Sequence, residues 1–187
     1  MNRKDTTELL TNTLIEKLVG SPAYFATEVT LDYGFKHPHR VDVMEFRPSG
    51  VMHVSDIEKG IFVCYEVKSS YEDLYSGNGL NFFGEKNYIV TTMEVAKKIQ
   101  EDAFDHKLEN YIKEHFPESS LNFGVMVLVP RSVDIKDTSA LYEEHQNPTP
   151  LDKCYSWQLV TLISCHQGHR KRCLSELLFC MLRSKHL

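Results

Sequence analysis

The chain has 187 residues, 42% of them hydrophobic and 11% aromatic, enough to build one well-packed domain and short for two. Its net charge of −5 excludes a protein that coats nucleic acid by bulk electrostatics and confines any such contact to a restricted basic surface. Five cysteines, an odd number, together with no apolar leader and no run long enough to span a bilayer, lead to the expectation of a single cytoplasmic domain over residues 1–187 with no membrane contact.

In chain order, Leu9, Leu10, Leu14, Ile15 and Leu18 recur at helical spacing, which predicts an amphipathic helix from Thr6 to Val19, stopped by Gly20, Ser21 and Pro22. Tyr24–Leu31 and Arg40–Phe46 are rich in aromatic and β-branched residues, and the Gly34 to Pro38 segment between them predicts a hairpin. Ile61–Lys68 is a third strand, whose apolar start reads as covered on both faces. A short helix at Tyr71–Leu74 breaks at "SGNG", residues Ser76 to Gly79, and Asn87–Thr92 returns as a strand. One long helix is expected over Met93–Phe116, capped by Thr91 or Thr92. Phe123–Pro130 and Trp157–Ser164 follow as strands, Arg131–Lys153 as a loop excursion, and Arg172–Arg183 as a terminal helix. A strand joined to the next through a long helix implies a parallel pair, so the expected fold is α/β, a mixed sheet sandwiched by helices.

Within the third strand, "FVCYEVKSSYEDL" places Glu66 and Lys68 two residues apart, hence on one face of a strand. A same-face surface ion pair, worth about 0–1 kcal/mol, is the plain alternative. Asp42 lies in the apolar run "HRVDVMEF" of the preceding strand. Were the two strands neighbours, Asp42, Glu66 and Lys68 would converge at one end of the sheet. Two carboxylates held close raise each other's pKa unless a cation compensates. Mg²⁺ or Mn²⁺ suits such a pair, with the Val67 carbonyl as a third ligand. A cation there polarises a phosphoryl oxygen and acidifies a water, and Lys68 would hold that water or meet the developing charge.

These residues resemble the PD-(D/E)XK nuclease superfamily, in which an acidic residue and a Glu-x-Lys motif stand on adjacent strands after an N-terminal helix. "SSYEDLYSGNGLNFFGEKNYIVT" is similar to its MmcB-like and phage-borne branch, over residues 6 to 130. The resemblance implies a restriction-endonuclease-like fold and a phosphodiester-hydrolysing enzyme that acts on nucleic acid, here DNA. It carries Asp42 and Glu66 over as metal ligands and Lys68 as the catalytic lysine. Val41 stands where the superfamily's name has proline. Glu28 matches an extra acidic residue of some members, or is a solvent-facing strand residue.

Other candidates rank behind this triad. Ser69 and Ser70 read as a strand end and a helix N-cap that can also contact phosphate. Asn81, Glu85 and Lys86 belong to or flank a glycine-bounded loop that leads back toward the site, or are simply loop polarity. His169, Arg170, Lys171 and Arg172 form a basic cluster at a helix start, a phosphate contact or a solvated turn. Cys154 with the Cys165 to Cys173 stretch invites a zinc reading, although the spacing lacks two tight ligand pairs. A catalytically silent nucleic-acid-binding or protein-interaction module on the same fold is the alternative function, and a second copy or a protein partner would supply the basic surface the chain lacks.

Overall fold

The computed structural model describes residues 1–184 and holds an α/β arrangement with seven helices and one six-stranded mixed sheet among them. The strands are β1 (Tyr24–Leu31), β2 (His39–Arg47), β3 (Ile61–Lys68), β4 (Lys86–Thr92), β5 (Gly124–Pro130) and β6 (Trp157–Ile163), and they lie side by side in sequence order. β3–β4 and β4–β5 are parallel and the other three pairs antiparallel. The parallel pairs sit where helical crossovers separate the strands, as their geometry demands.

Helix α1 (Arg3–Val19) covers one face of the sheet: Leu10, Leu14 and Leu18 pack on Val43, Val63, Val67 and Val90. Asn2 caps it, its Oδ1 accepting the Asp5 N–H at 2.9 Å. The opposite face is divided between two clusters. Ile89, Val125, Val127 and Val129 meet α4 (Met93–Ala103) and α5 (Lys107–His115), while Met44, Phe62 and Cys64 meet α7 (Leu174–Arg183). The remaining helices are short: α2 (Val54–Glu58), α3 (Tyr71–Leu74) and α6 (Thr138–Gln146).

Besides α2, which the sequence reading does not include, three elements differ from the sequence expectation. The long helix over 93–116 is two helices, because Ile99 and Leu108, both buried, are nine residues apart, or about half a turn out of phase at roughly 100° per residue. A break at residues 104–106, with His106 at φ 51°, restores both to the core. The 131–153 excursion contains α6, started by Asp137, whose Oδ1 accepts the Ser139 N–H at 2.9 Å and the Ala140 N–H at 3.4 Å. The terminal helix begins at Leu174, so the basic cluster precedes it. Among the described residues no helix is long and apolar enough to cross a membrane.

Candidate active site

Register brings the triad together. Val43 pairs with Tyr65 and Glu66 with Ile89, which puts Asp42, Glu66 and Lys68 on the sheet face that α1 does not cover, at the C-terminal end of β3. There the β2–β3 ladder ends, and the Asp42 side chain continues it: the Val67 N–H donates to Asp42 Oδ2 at 2.9 Å. Thr91 Oγ1 donates to the Lys68 carbonyl at 2.5 Å from the other side. The end of β3 is therefore pinned to both neighbours.

A cleft of about 1260 Å³ opens here, walled by α1 and the β1–β2 hairpin and reaching Asp42, Val67 and Lys68 at its floor. Glu66 lies beneath, 0% exposed, and Lys68 is only 4% exposed. The segment after α3 folds back over them with Gly77, Gly79 and Leu80 at positive φ, a geometry that places the Asn81 N–H on the Glu66 carboxylate. Asn81 donates to Glu66 Oε1 at 3.1 Å, while Glu66 Oε2 is buried without a hydrogen-bond partner. Lys68 Nζ donates to the Asn78 carbonyl at 2.5 Å. Gly79 is confined: a Cβ there would stand 2.5 Å from Lys68 Nζ and 2.6 Å from Glu66 Oε2.

Burial pushes the Glu66 carboxyl well above the usual carboxylate range, and the charge of Asp42 adds to the rise against the counter-effect of Lys68. Asp42 is raised as well, mainly by burial, opposed by the Val67 N–H, Lys68 and Arg40. Burial thus raises both carboxyls, and the charge of Asp42 raises Glu66 further. A buried carboxyl with an unpartnered oxygen beside a second carboxyl would, once both are ionised, be a donor set for a hard divalent cation.

The other sequence candidates distribute differently. Glu28 sits opposite Asp42 in the β1–β2 register, between the Thr27–Val43 and Val29–Val41 pairs, at φ 51° and 3.9 Å from Arg40. Ser70 caps α3, its Oγ accepting the Asp73 N–H at 3.1 Å, and Ser69 donates from N and Oγ to Asp73 Oδ2, both at 3.2 Å. Asn81 belongs to the site. Lys86 does not join it: it pairs with Val63, five residues and roughly 16 Å before Lys68 along β3. Glu85 is at that far end too, where Oε1 receives Arg170 and Oε2 accepts the Phe62 N–H, both at 2.8 Å.

Both arginines of the basic cluster are engaged within the chain, Arg170 with Glu85 and Arg172 with three acids. Arg172 donates to Asp32 at 3.0 Å and Glu118 at 2.5 Å and lies 3.9 Å from Glu176, and the Lys171 backbone donates to the Phe83 carbonyl. All five thiols are free. Among the described residues the group of three metal-ligating side chains that comes together is Asp32, His39 and Glu118, and the Arg172 guanidinium already contacts both of its acids.

Sequence reasoning missed His39 and Arg40. His39 Nδ1 lies 3.1 Å from Asn81 Oδ1, and Asn81 Nδ2 donates to the Arg40 carbonyl at 2.7 Å, so the start of β2 positions the residue that holds Glu66. Their place three and two residues before Asp42 on the same strand was the available signal. Comparison of the chain with known protein families, curated proteins and solved structures finds no match.

Proposed function

We propose that this chain is a divalent-metal-dependent nuclease of the restriction-endonuclease-like type, hydrolysing phosphodiester bonds of DNA. The supporting observation is Glu66: wholly buried, with Oε2 unpartnered, beneath Asp42 and Lys68, which line the floor of an open cleft. An acid kept in such a place without a cation is costly, and its arrangement suits one. Asp42 and Glu66, with the Val67 carbonyl, would hold Mg²⁺ or Mn²⁺, which would supply Lewis acidity toward a phosphoryl oxygen and toward the attacking water.

The chain's own groups do the positioning. Val67 N–H fixes Asp42, and the Asn81 N–H fixes Glu66, so both carboxylates are oriented before substrate arrives. Lys68, anchored on the Asn78 carbonyl, presents its ammonium at the cleft floor, where it holds the attacking water and meets the charge that grows on the phosphate. The loop over Glu66 excludes solvent from the pair and strengthens these interactions.

The test is direct. Purified protein incubated with plasmid and with single-stranded DNA is expected to cut in Mg²⁺ or Mn²⁺, and Glu66→Ala or Lys68→Ala to abolish cutting. Wild-type protein that cleaves no form of DNA or RNA in either metal would refute the reading. If Mn²⁺ titration also shows no binding that depends on Asp42 and Glu66, a silent binding module takes its place.

A further inference from the structure

Resting on that reading for the identity of the reacting groups, we infer that the nucleic acid enters the cleft as a single strand, with a base stacked on Phe35 at the tip of the β1–β2 hairpin. The depth of the site is the first constraint. Glu66 is 0% and Lys68 4% exposed, both beneath the Gly77–Leu80 segment, with α1 and the hairpin rising on either side. A duplex is stiff over about 50 nm and must pay deformation energy to change the path of its phosphates. A single strand bends freely enough to lower one phosphate to the floor.

The hairpin supplies the second constraint. Between β1 and β2 the chain reads Asp32, Tyr33, Gly34, Phe35, Lys36, His37, a turn closed by the Phe35 N–H donating to the Asp32 carbonyl at 3.0 Å with Gly34 at φ 90°. Tyr33 has its ring covered by Arg183, whose guanidinium carbon is 4.4 Å from the ring centroid. Phe35 is 74% exposed and has no aromatic or cationic partner among the described residues. Lys36 follows it, and His37, His39 and Arg40 continue from there along the cleft wall. An open ring followed directly by Lys36, ahead of a strand that carries Arg40 into the cleft, is an arrangement that binds single strands with little regard to sequence, because every base offers a π-face and every linkage a phosphate.

Fluorescence anisotropy of wild-type protein in EDTA, where no turnover interferes, tests this with a labelled oligothymidylate of about 15 nucleotides and a duplex of the same length. The single strand is expected to bind at least about tenfold more tightly than the duplex, and Phe35→Ala to weaken it by about tenfold. Phe35→Trp, which keeps the stacking surface, is expected to restore binding. Lys36→Ala is expected to flatten the salt dependence by about one unit of slope. Equal affinity of Phe35→Ala and wild type, or a duplex bound as tightly as the single strand, overturns the inference. A parallel cleavage assay in Mn²⁺ separates the two ideas. Cutting with no dependence on Phe35 overturns this inference alone, whereas Phe35-dependent binding without any cutting supports it and overturns the nuclease reading.

Discussion

Asp42 and Val67 are joined across the end of the β2–β3 ladder, the Val67 N–H donating to Asp42 Oδ2 at 2.9 Å. One carboxylate thus closes a strand ladder and faces the cleft. The two roles separate by substitution. Asp42→Ala leaves the Val67 N–H without its acceptor and is expected to cost about 1–3 kcal/mol of stability by denaturant melting. Asp42→Asn keeps an acceptor oxygen and is expected to unfold near the wild-type midpoint, yet to lose Mn²⁺ affinity in calorimetric titration. An Asp42→Asn protein that binds Mn²⁺ as wild type does would remove Asp42 from the ligand set.

Without a divalent cation, the Glu66 carboxyl titrates well above its ordinary 4.5, burial being the main cause and Asp42 the second. The native state then holds more protons than the unfolded chain at any pH between those two values. Its stability is therefore greatest below the ordinary value and declines as pH rises through the native one. Thermal melts in EDTA from about pH 5 to about pH 8 are expected to show wild type losing stability relative to Glu66→Gln, which carries no such proton. Mn²⁺ is expected to cancel the difference by favouring the ionised form. If wild type and Glu66→Gln track each other across that range, the buried carboxyl does not have the raised affinity for a proton described here.

Gly77 and Gly79 both adopt φ 79°, so an alanine at either strains the backbone equally. Their surroundings differ. A Cβ at Gly77 meets nothing within 4 Å, whereas one at Gly79 would stand 2.5 Å from Lys68 Nζ and 2.6 Å from Glu66 Oε2. Gly79→Ala is expected to reduce cleavage by at least about tenfold, while Gly77→Ala loses about 1 kcal/mol of stability and keeps its activity. Equal activities in the two variants would show that the Gly79 contact does not hold Lys68 and Glu66 in their working positions.

The core of the site was legible because strand parity is local. Glu66 and Lys68 share a face whatever surrounds them, and β1 and β3 have the limits that their composition predicts. What surrounds them was not legible. Lys86 follows the loop that covers Glu66, but parallel pairing sets it beside Val63, because a crossover returns the chain to the start of the neighbouring strand. The break between α4 and α5 depends on which of Ile99 and Leu108 must reach the core, a tertiary requirement that overrides a continuous run of helix formers. The Arg170 to Arg172 cluster reads as free positive charge until the fold brings Glu85, Asp32 and Glu118 to it.

That last pairing carries a prediction of its own. Glu85 is buried and receives Arg170 Nε at 2.8 Å and the Phe62 N–H at 2.8 Å, at the end of β3 away from Lys68. Removing the guanidinium leaves a buried carboxylate with one neutral donor, so Arg170→Ala is expected to lower stability by about 3 kcal/mol. Arg170→Ala paired with Glu85→Gln is expected to recover part of that loss, because the double variant no longer buries an unpaired charge. Since Arg170 is committed to Glu85 far from the cleft, DNA affinity measured well below the melting temperature is expected to stay within about twofold of wild type, against the drop that a phosphate contact would produce. A stable Arg170→Ala protein with weakened DNA binding would instead return the basic cluster to the nucleic-acid surface.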